Sequence, residues 1–222
     1  MGIITLENMD RLVWLGRYTE RVNSTIHMFF DGLDSFIDGN KDFYKVLCQQ
    51  IDIPDIYENA DHFLVDFPYN ENNYNSIISN LTRAYDNAIV MRDYIDTETL
   101  AYIQLAIYDM QRAKQNKSSV RDLYYVVDHI MGFWGCVDDR VDDRIVRASL
   151  RAGKRIERVY LYLSFNKPAN TILREIKLME NRIKQIGMKY NPVVLDTLKT
   201  MLESADFDYS IGKLLFFKLF EE

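Results

Sequence analysis

The stretch 7–38, ENMDRLVWLGRYTERVNSTIHMFFDGLDSFID, decides the fold class. Leu12, Leu15, Val22, Ile26, Phe29, Phe30, Leu33 and Ile37 fall on one stripe at about 100° per residue. That period predicts one long amphipathic helix over 7–38. Gly39-Asn40 supplies a left-handed stop directly after it.

The same period continues outward. Between Pro68 and Pro168 no residue breaks a helix as strongly as proline does, and apolar side chains recur every three or four positions. The pattern predicts short helices over 41–50 and 57–65 and a loop over 67–73. A long helix is expected over 73–95, then another from Asp96-Thr97-Glu98 to residue 116. Ser118 or Ser119 is placed to cap the next one, with Gly132 and Gly135 as points where it bends or breaks. Helices over 138–165, 169–190 and 192–203 and a strongly apolar tail over 211–220 complete the chain. No strand pattern survives. The expected architecture is all-α: a single domain over 1–222, built as a bundle of long antiparallel helices.

Composition narrows the function classes. The chain has 222 residues, 48% hydrophobic and 27% charged, which excludes wholesale disorder. Nine Gly and four Pro are too few for the turns of an all-β protein. A net charge of −6 argues against non-specific nucleic-acid binding. Cys48 and Cys136 make no disulfide framework and read as small core hydrophobes in a reducing compartment. The start carries no basic region followed by an apolar run, and no window approaches the ~20 apolar residues of a membrane span. A soluble, cytoplasmic protein is expected.

One short stretch occurs twice. Gly16-Arg17-Tyr18-Thr19-Glu20-Arg21-Val22 and Gly153-Lys154-Arg155-Ile156-Glu157-Arg158-Val159 share Gly, a basic residue, two variable positions and Glu-Arg-Val. The two copies make the bundle one with two pseudo-repeated Glu-Arg helices. The run Asn8–Arg21 resembles the signature of the alpha-E domain, a helical domain named for its Glu-Arg motif. The segment Asn87–Glu98, with Asn-Ala, Arg92-Asp93 and Glu98, is similar to the central segment of that family, and the Glu157-Arg158 copy is the third match. The resemblance implies an all-helical fold. It also implies the company of circularly permuted ATP-grasp enzymes and transglutaminase-like proteins, and so of peptide synthesis or modification.

Helical geometry gives the motif a physical reading. With Ile26 as the centre of the stripe, Gly16 lies at roughly 80° and Glu20 at roughly 120°, one turn apart on a single flank. Gly153 and Glu157 repeat this, and a Gly one turn from a Glu lets a second helix approach. The two copies are therefore expected to face each other, Glu20 pairing with Arg158 and Glu157 with Arg21 as a latch. The rival reading has Arg17, Arg21, Arg92 and Arg158 converging on a carboxylate or phosphate, which forked guanidinium groups suit. The candidate binding residues are Arg17, Glu20, Arg21, Glu157 and Arg158, with Arg92 and Glu98 from the central segment. The expected function is an auxiliary or binding protein of an ATP-grasp or transglutaminase-type system.

Two other features bear on function. Asp138-Asp139-Arg140-Val141-Asp142-Asp143 contains an Asp-Asp-x-x-Asp run. On one helix it would set Asp138 against Asp142 and Asp139 against Asp143, either near a helix start or as Mg²⁺ ligands of an isoprenoid-type diphosphate enzyme. That is the alternative function. The sequence offers no Glu-x-x-His pair, zinc cluster, P-loop or Gly-x-Ser-x-Gly, so no metal or cofactor is expected. The tail Leu214–Phe220 is expected to be buried, on its own bundle, on a second copy or on a partner.

Overall fold

The Thr5 hydroxyl accepts from the Asn8 amide and starts a helix of 32 residues, α1, over Leu6–Ile37. The computed structural model describes residues 4–115 and 122–221. α1 is followed by α2 (Phe43–Gln50), α3 (Ala60–Asp66), a 3-10 turn (Phe67–Tyr69) and α4 (Ile77–Val90). Then come α5 (Arg92–Ile95), α6 (Thr97–Gln115), α7 (Leu123–Asp139), α8 (Arg144–Ser164), α9 (Ala169–Gln185), α10 (Pro192–Leu202) and α11 (Tyr209–Lys218). Among the described residues there is no strand, and the fold is all-α.

α1 is the central element, packing on α8 along one side and on α4 along the other. Its stripe is enclosed at Leu12, Leu15, Val22, Ile26 and Phe29, each at 0% exposure, and opens at the C-terminal end, where Leu33 is half-buried and Ile37 exposed. Two of the helix pairings are antiparallel. Asn8 and Tyr18 of α1 meet Tyr94 and Arg83 in reverse order. Asp109 and Arg112 of α6 meet His129 and Tyr125 of α7 in reverse order too. α1 and α8 run the other way. Arg17 and Glu20 meet Glu157 and Arg158, and further on Asp31 meets Lys167, so these two helices lie side by side in parallel. Below them, Phe43, Tyr44, Tyr57, Phe63 and Phe67 form an aromatic cluster, with Phe63 and Phe67 stacked at 5.0 Å.

Several expected boundaries move for local reasons. The helix expected over 73–95 begins only at Ile77, where the Ser76 hydroxyl accepts from the Ser79 amide, and it breaks at Met91. Asp96 then turns the chain in a left-handed conformation (φ 70°) and accepts from the Thr97 amide. Neither Gly132 nor Gly135 breaks α7. Gly132 is where the Tyr102 ring lies against the helix, since a Cβ there would come within 2.3 Å of it. The expected Ser118 or Ser119 cap lies outside the described residues.

The helix expected over 138–165 is two helices. α7 ends at Asp139, Val141 turns inward to 2% exposure, and the Asp143 carboxylate starts α8 by accepting from the Ile145 and Val146 amides. The tail is only half covered. Phe216 and Leu219 are buried, Phe216 near the Tyr160 ring, whereas Leu214 and Phe217 stay exposed. No helix among the described residues is long and apolar enough to cross a membrane.

Candidate functional site

The two copies of the repeated motif meet at the point where α1 and α8 approach most closely. A Cβ added at Gly16 would stand 2.0 Å from the Leu150 carbonyl oxygen, and one at Gly153 would stand 1.9 Å from that of Val13. Leu150 and Val13 each lie three residues before the opposite glycine, so the contact has pseudo-two-fold symmetry. Only glycine permits backbone against backbone at this distance.

One turn further on, the charged residues close across the same seam. Arg158 Nε and Nη2 donate to the two oxygens of Glu20 at 2.6 and 2.8 Å. Arg21 Nε donates to Glu157 Oε1, and Arg17 Nε to Glu157 Oε2 at 2.9 Å. Both carboxylates are 1% exposed, while the side chains of Arg17, Arg21 and Arg158 keep about a quarter to a fifth of their surface in solvent. The Ser24 hydroxyl donates to Glu20 Oε1 at 2.9 Å, and Thr19 bonds back to the Leu15 and Gly16 carbonyls.

Charge pairing outweighs burial at this seam. Desolvation pulls the Arg21 and Arg158 guanidinium groups down. The carboxylate each one faces, Glu157 and Glu20, more than reverses this, and both are held above the ordinary arginine value. Two ions taken out of water are tolerated only when paired and hydrogen-bonded, and this seam satisfies both conditions.

The site extends beyond the motif. A third buried carboxylate, Glu175 of α9 (2% exposed), receives Arg155 and stands 4.0 Å from Arg158. Arg155 occupies one of the variable positions of the second copy, and Glu175 belongs to no repeat, so neither is marked in the sequence. The symmetry is also broken in one place. Arg17 bonds Glu157 and lies 4.3 Å above the Trp14 ring. Its counterpart Lys154 makes no such bond to Glu20 and rests 4.0 Å above Trp134 of α7.

Arg92 and Glu98 lie elsewhere. Arg92 is 68% exposed and 3.6 Å from Asp93, while Glu98 pairs with Arg140 at 2.7 Å. Arg92 therefore does not join Arg17, Arg21 and Arg158 around one ligand. The central segment forms instead the turn between α4 and α6, where Asp96 is 3.9 Å from Arg140.

The acidic run is likewise dispersed by the break between α7 and α8. Asp138 pairs with Arg151, Asp143 caps α8, and Asp139 and Asp142 face solvent. The i, i+4 facing of Asp138 with Asp142 and of Asp139 with Asp143 does not occur. Among the described residues no group of three or more His, Cys, Asp or Glu is placed to hold a metal ion. Cys48 is buried and its thiol is pushed up to about 12 by desolvation, as expected of a core residue.

Fold and site define a class: an all-α bundle whose first and eighth helices are locked together by reciprocal Glu-Arg pairs. The chain matches, over residues 8–206, the Alpha-E family, described as a predicted alpha-helical domain with a conserved ER motif, and it belongs to that family. Comparison with curated proteins and with solved structures gives no match.

Proposed function

We propose that the protein is a non-catalytic helical scaffold, an auxiliary subunit serving an ATP-grasp or transglutaminase-type system of peptide synthesis or modification. One observation carries the scaffold reading: the motif residues are committed to each other. Each carboxylate is enclosed and holds its guanidinium partners across a glycine contact. A general acid or base must reach a substrate proton within hydrogen-bond distance, and Glu20 and Glu157 are each 1% exposed with their oxygens already held by arginine partners.

The same burial weighs against a ligand seat at the motif. An incoming carboxylate would have to displace Glu20 or Glu157 and leave that charge unpaired in a dry interior, which costs about 3–5 kcal/mol. The latch therefore serves architecture, fixing the register of two helices that begin far apart in sequence. The partner class rests on the family resemblance and its usual company. The uncovered Leu214 and Phe217 on α11 give a surface on which such a partner, or a second copy of the chain, can sit.

The test is direct mixing. The purified chain is combined separately with the ATP-grasp protein and with the transglutaminase-like protein of the same organism, and each mixture is examined by sedimentation velocity. A stoichiometric complex with one of them, weakened by Leu214→Glu/Phe217→Glu, is expected. No complex with either protein at concentrations up to about 0.1 mM would overturn the proposal. Mg²⁺-dependent turnover of a diphosphate by the chain alone would replace it with the enzyme reading.

A further inference from the structure

Behind the latch, between α7, α8 and α9, lies a cavity of about 270 Å³. Four cationic side chains face it: Arg151, Lys154 and Arg155 from successive turns of α8, and Arg182 from α9. Asp138 is the only carboxylate on its wall, and Trp134 and Leu178 supply the apolar part. Lys154 and Arg155 belong to the second motif copy, but neither is hydrogen-bonded to Glu20 or Glu157, and Arg151, Arg182 and Trp134 lie outside both copies, so the site does not depend on the scaffold reading.

The charges do not balance within the protein. Arg151 is engaged by Asp138 and Arg155 by Glu175. Lys154 and Arg182 have no carboxylate partner among the described residues. Lys154 rests on the Trp134 ring, and Arg182 donates to the neutral Gln185 side chain at 3.0 Å. Trp134 lines the same cavity, and its indole N–H is buried without an acceptor. Two cations without a carboxylate partner on one wall favour an anion from outside.

The broken symmetry of the latch explains how the surplus arises. In the first copy the basic residue after glycine, Arg17, is consumed by Glu157. On the other side of the seam Ser24 of α1 donates to Glu20, and Lys154, the basic residue of the second copy, makes no bond to that carboxylate. Its ammonium group is thereby left on the cavity side of the seam. Burial pushes it down to about 8, and Arg158 and Arg155 add to that against the opposing pull of Glu20 and Asp138. Arg182 is lowered as well, by burial and then by Arg151 and Arg155. Both groups would gain from a negative charge between them.

We propose that this cavity binds a phosphoryl dianion, free or as the end of a small phosphomonoester, held by Lys154 and Arg182. Two uncompensated positive charges match a dianion and leave a monocarboxylate one charge short. Donors from two different helices suit an acceptor whose oxygens point in several directions, and a guanidinium fork beside an ammonium point charge is a fitting pair for phosphate. Arg151 and Arg155 back the site, and Trp134 with Leu178 walls the remaining volume, which exceeds that of the bare anion.

Isothermal titration of the full chain with inorganic phosphate at low ionic strength tests this, with succinate as the comparison dianion. One saturable site with a dissociation constant of about 1 mM or tighter is expected for phosphate. Lys154→Met and Arg182→Gln should each weaken it at least about tenfold, while Arg11→Gln, on an exposed pair, leaves it unchanged. Three results would overturn the proposal: no saturation, equal affinity in the Lys154→Met/Arg182→Gln double variant, or succinate binding as tightly as phosphate. The phosphate–succinate comparison on the unaltered chain decides the question even if a variant fails to fold.

Discussion

Gly16→Ala isolates what the repeated glycine does. The new methyl would stand 2.0 Å from the Leu150 carbonyl oxygen, about 1.4 Å inside ordinary contact, and 3.1 Å from the Lys154 amide nitrogen. Neither obstacle is a side chain that can swing away, so α1 and α8 must separate. Overpacking of this kind costs about 1–3 kcal/mol. The separation also stretches the charged hydrogen bonds one turn on, each contributing about 1.5–3 kcal/mol. Alanine returns about 1 kcal/mol through its better helix propensity. The net expectation is a loss of about 2–4 kcal/mol, or a fall in melting temperature of roughly 5–15 °C for a chain of this size.

Gly135→Ala is the matched control. It too lies inside a helix, yet nothing stands within 4 Å of the added methyl, so it should be neutral or stabilising by up to about 1 kcal/mol. Gly153→Ala should behave like Gly16→Ala, and the double variant should cost less than the sum, because one displacement relieves both clashes. Urea denaturation followed by far-ultraviolet circular dichroism measures all four. A Gly16→Ala protein as stable as the parent refutes the reasoning, as does full additivity.

Two further outcomes follow from the charges. Glu157→Gln leaves Arg17 and Arg21 facing a neutral group and should cost about 2–4 kcal/mol in urea. Arg21→Glu should cost more, and the Arg21→Glu/Glu157→Arg exchange should recover part of that loss; an exchange no better than the worse single variant counts against a pairwise latch. Lys154 governs an alkaline window: the folded group releases its proton near 8 and the unfolded one near 10.5, so between these values the unfolded chain holds the extra proton and stability rises with pH. Relative to Lys154→Met, the parent should gain about 1–3 kcal/mol across that window; parallel pH profiles for the two proteins would show that Lys154 titrates normally.

Much of this structure was legible because two signals were strong. The stripe of α1 is long enough for its period to be unambiguous, and the observed ends differ from the expected ones by a single residue. The latch was legible because Gly-x-x-x-Glu-Arg puts a gap and a charge on one flank in both copies. The breaks were harder to read. α7 stops at Asp139 because Val141 finds a place in the core and Asp143 prefers to cap, and that choice depends on neighbours distant in sequence. Gly132 resembles a breaker in sequence and is a contact for Tyr102 in space. Glu175 and Lys154 acquire meaning only from the packing of α9 and α7 on α8. Arg92 and Glu98 matched the family pattern but formed a turn, because Asp96 reverses the chain between α5 and α6.

The parallel pairing of α1 with α8 has a consequence for biosynthesis. Arg158 lies 138 residues after the Glu20 it bonds. At about 5–20 residues per second, the ribosome delivers that arginine roughly 7–30 seconds after the glutamate. Throughout that interval the nascent α1 carries a hydrated carboxylate on the flank that will later be sealed. Docking of the earlier helices onto it must leave that flank open. α8 thus acts as the keystone, and a chain terminated before residue 150 lacks the surface against which its own first helix was shaped.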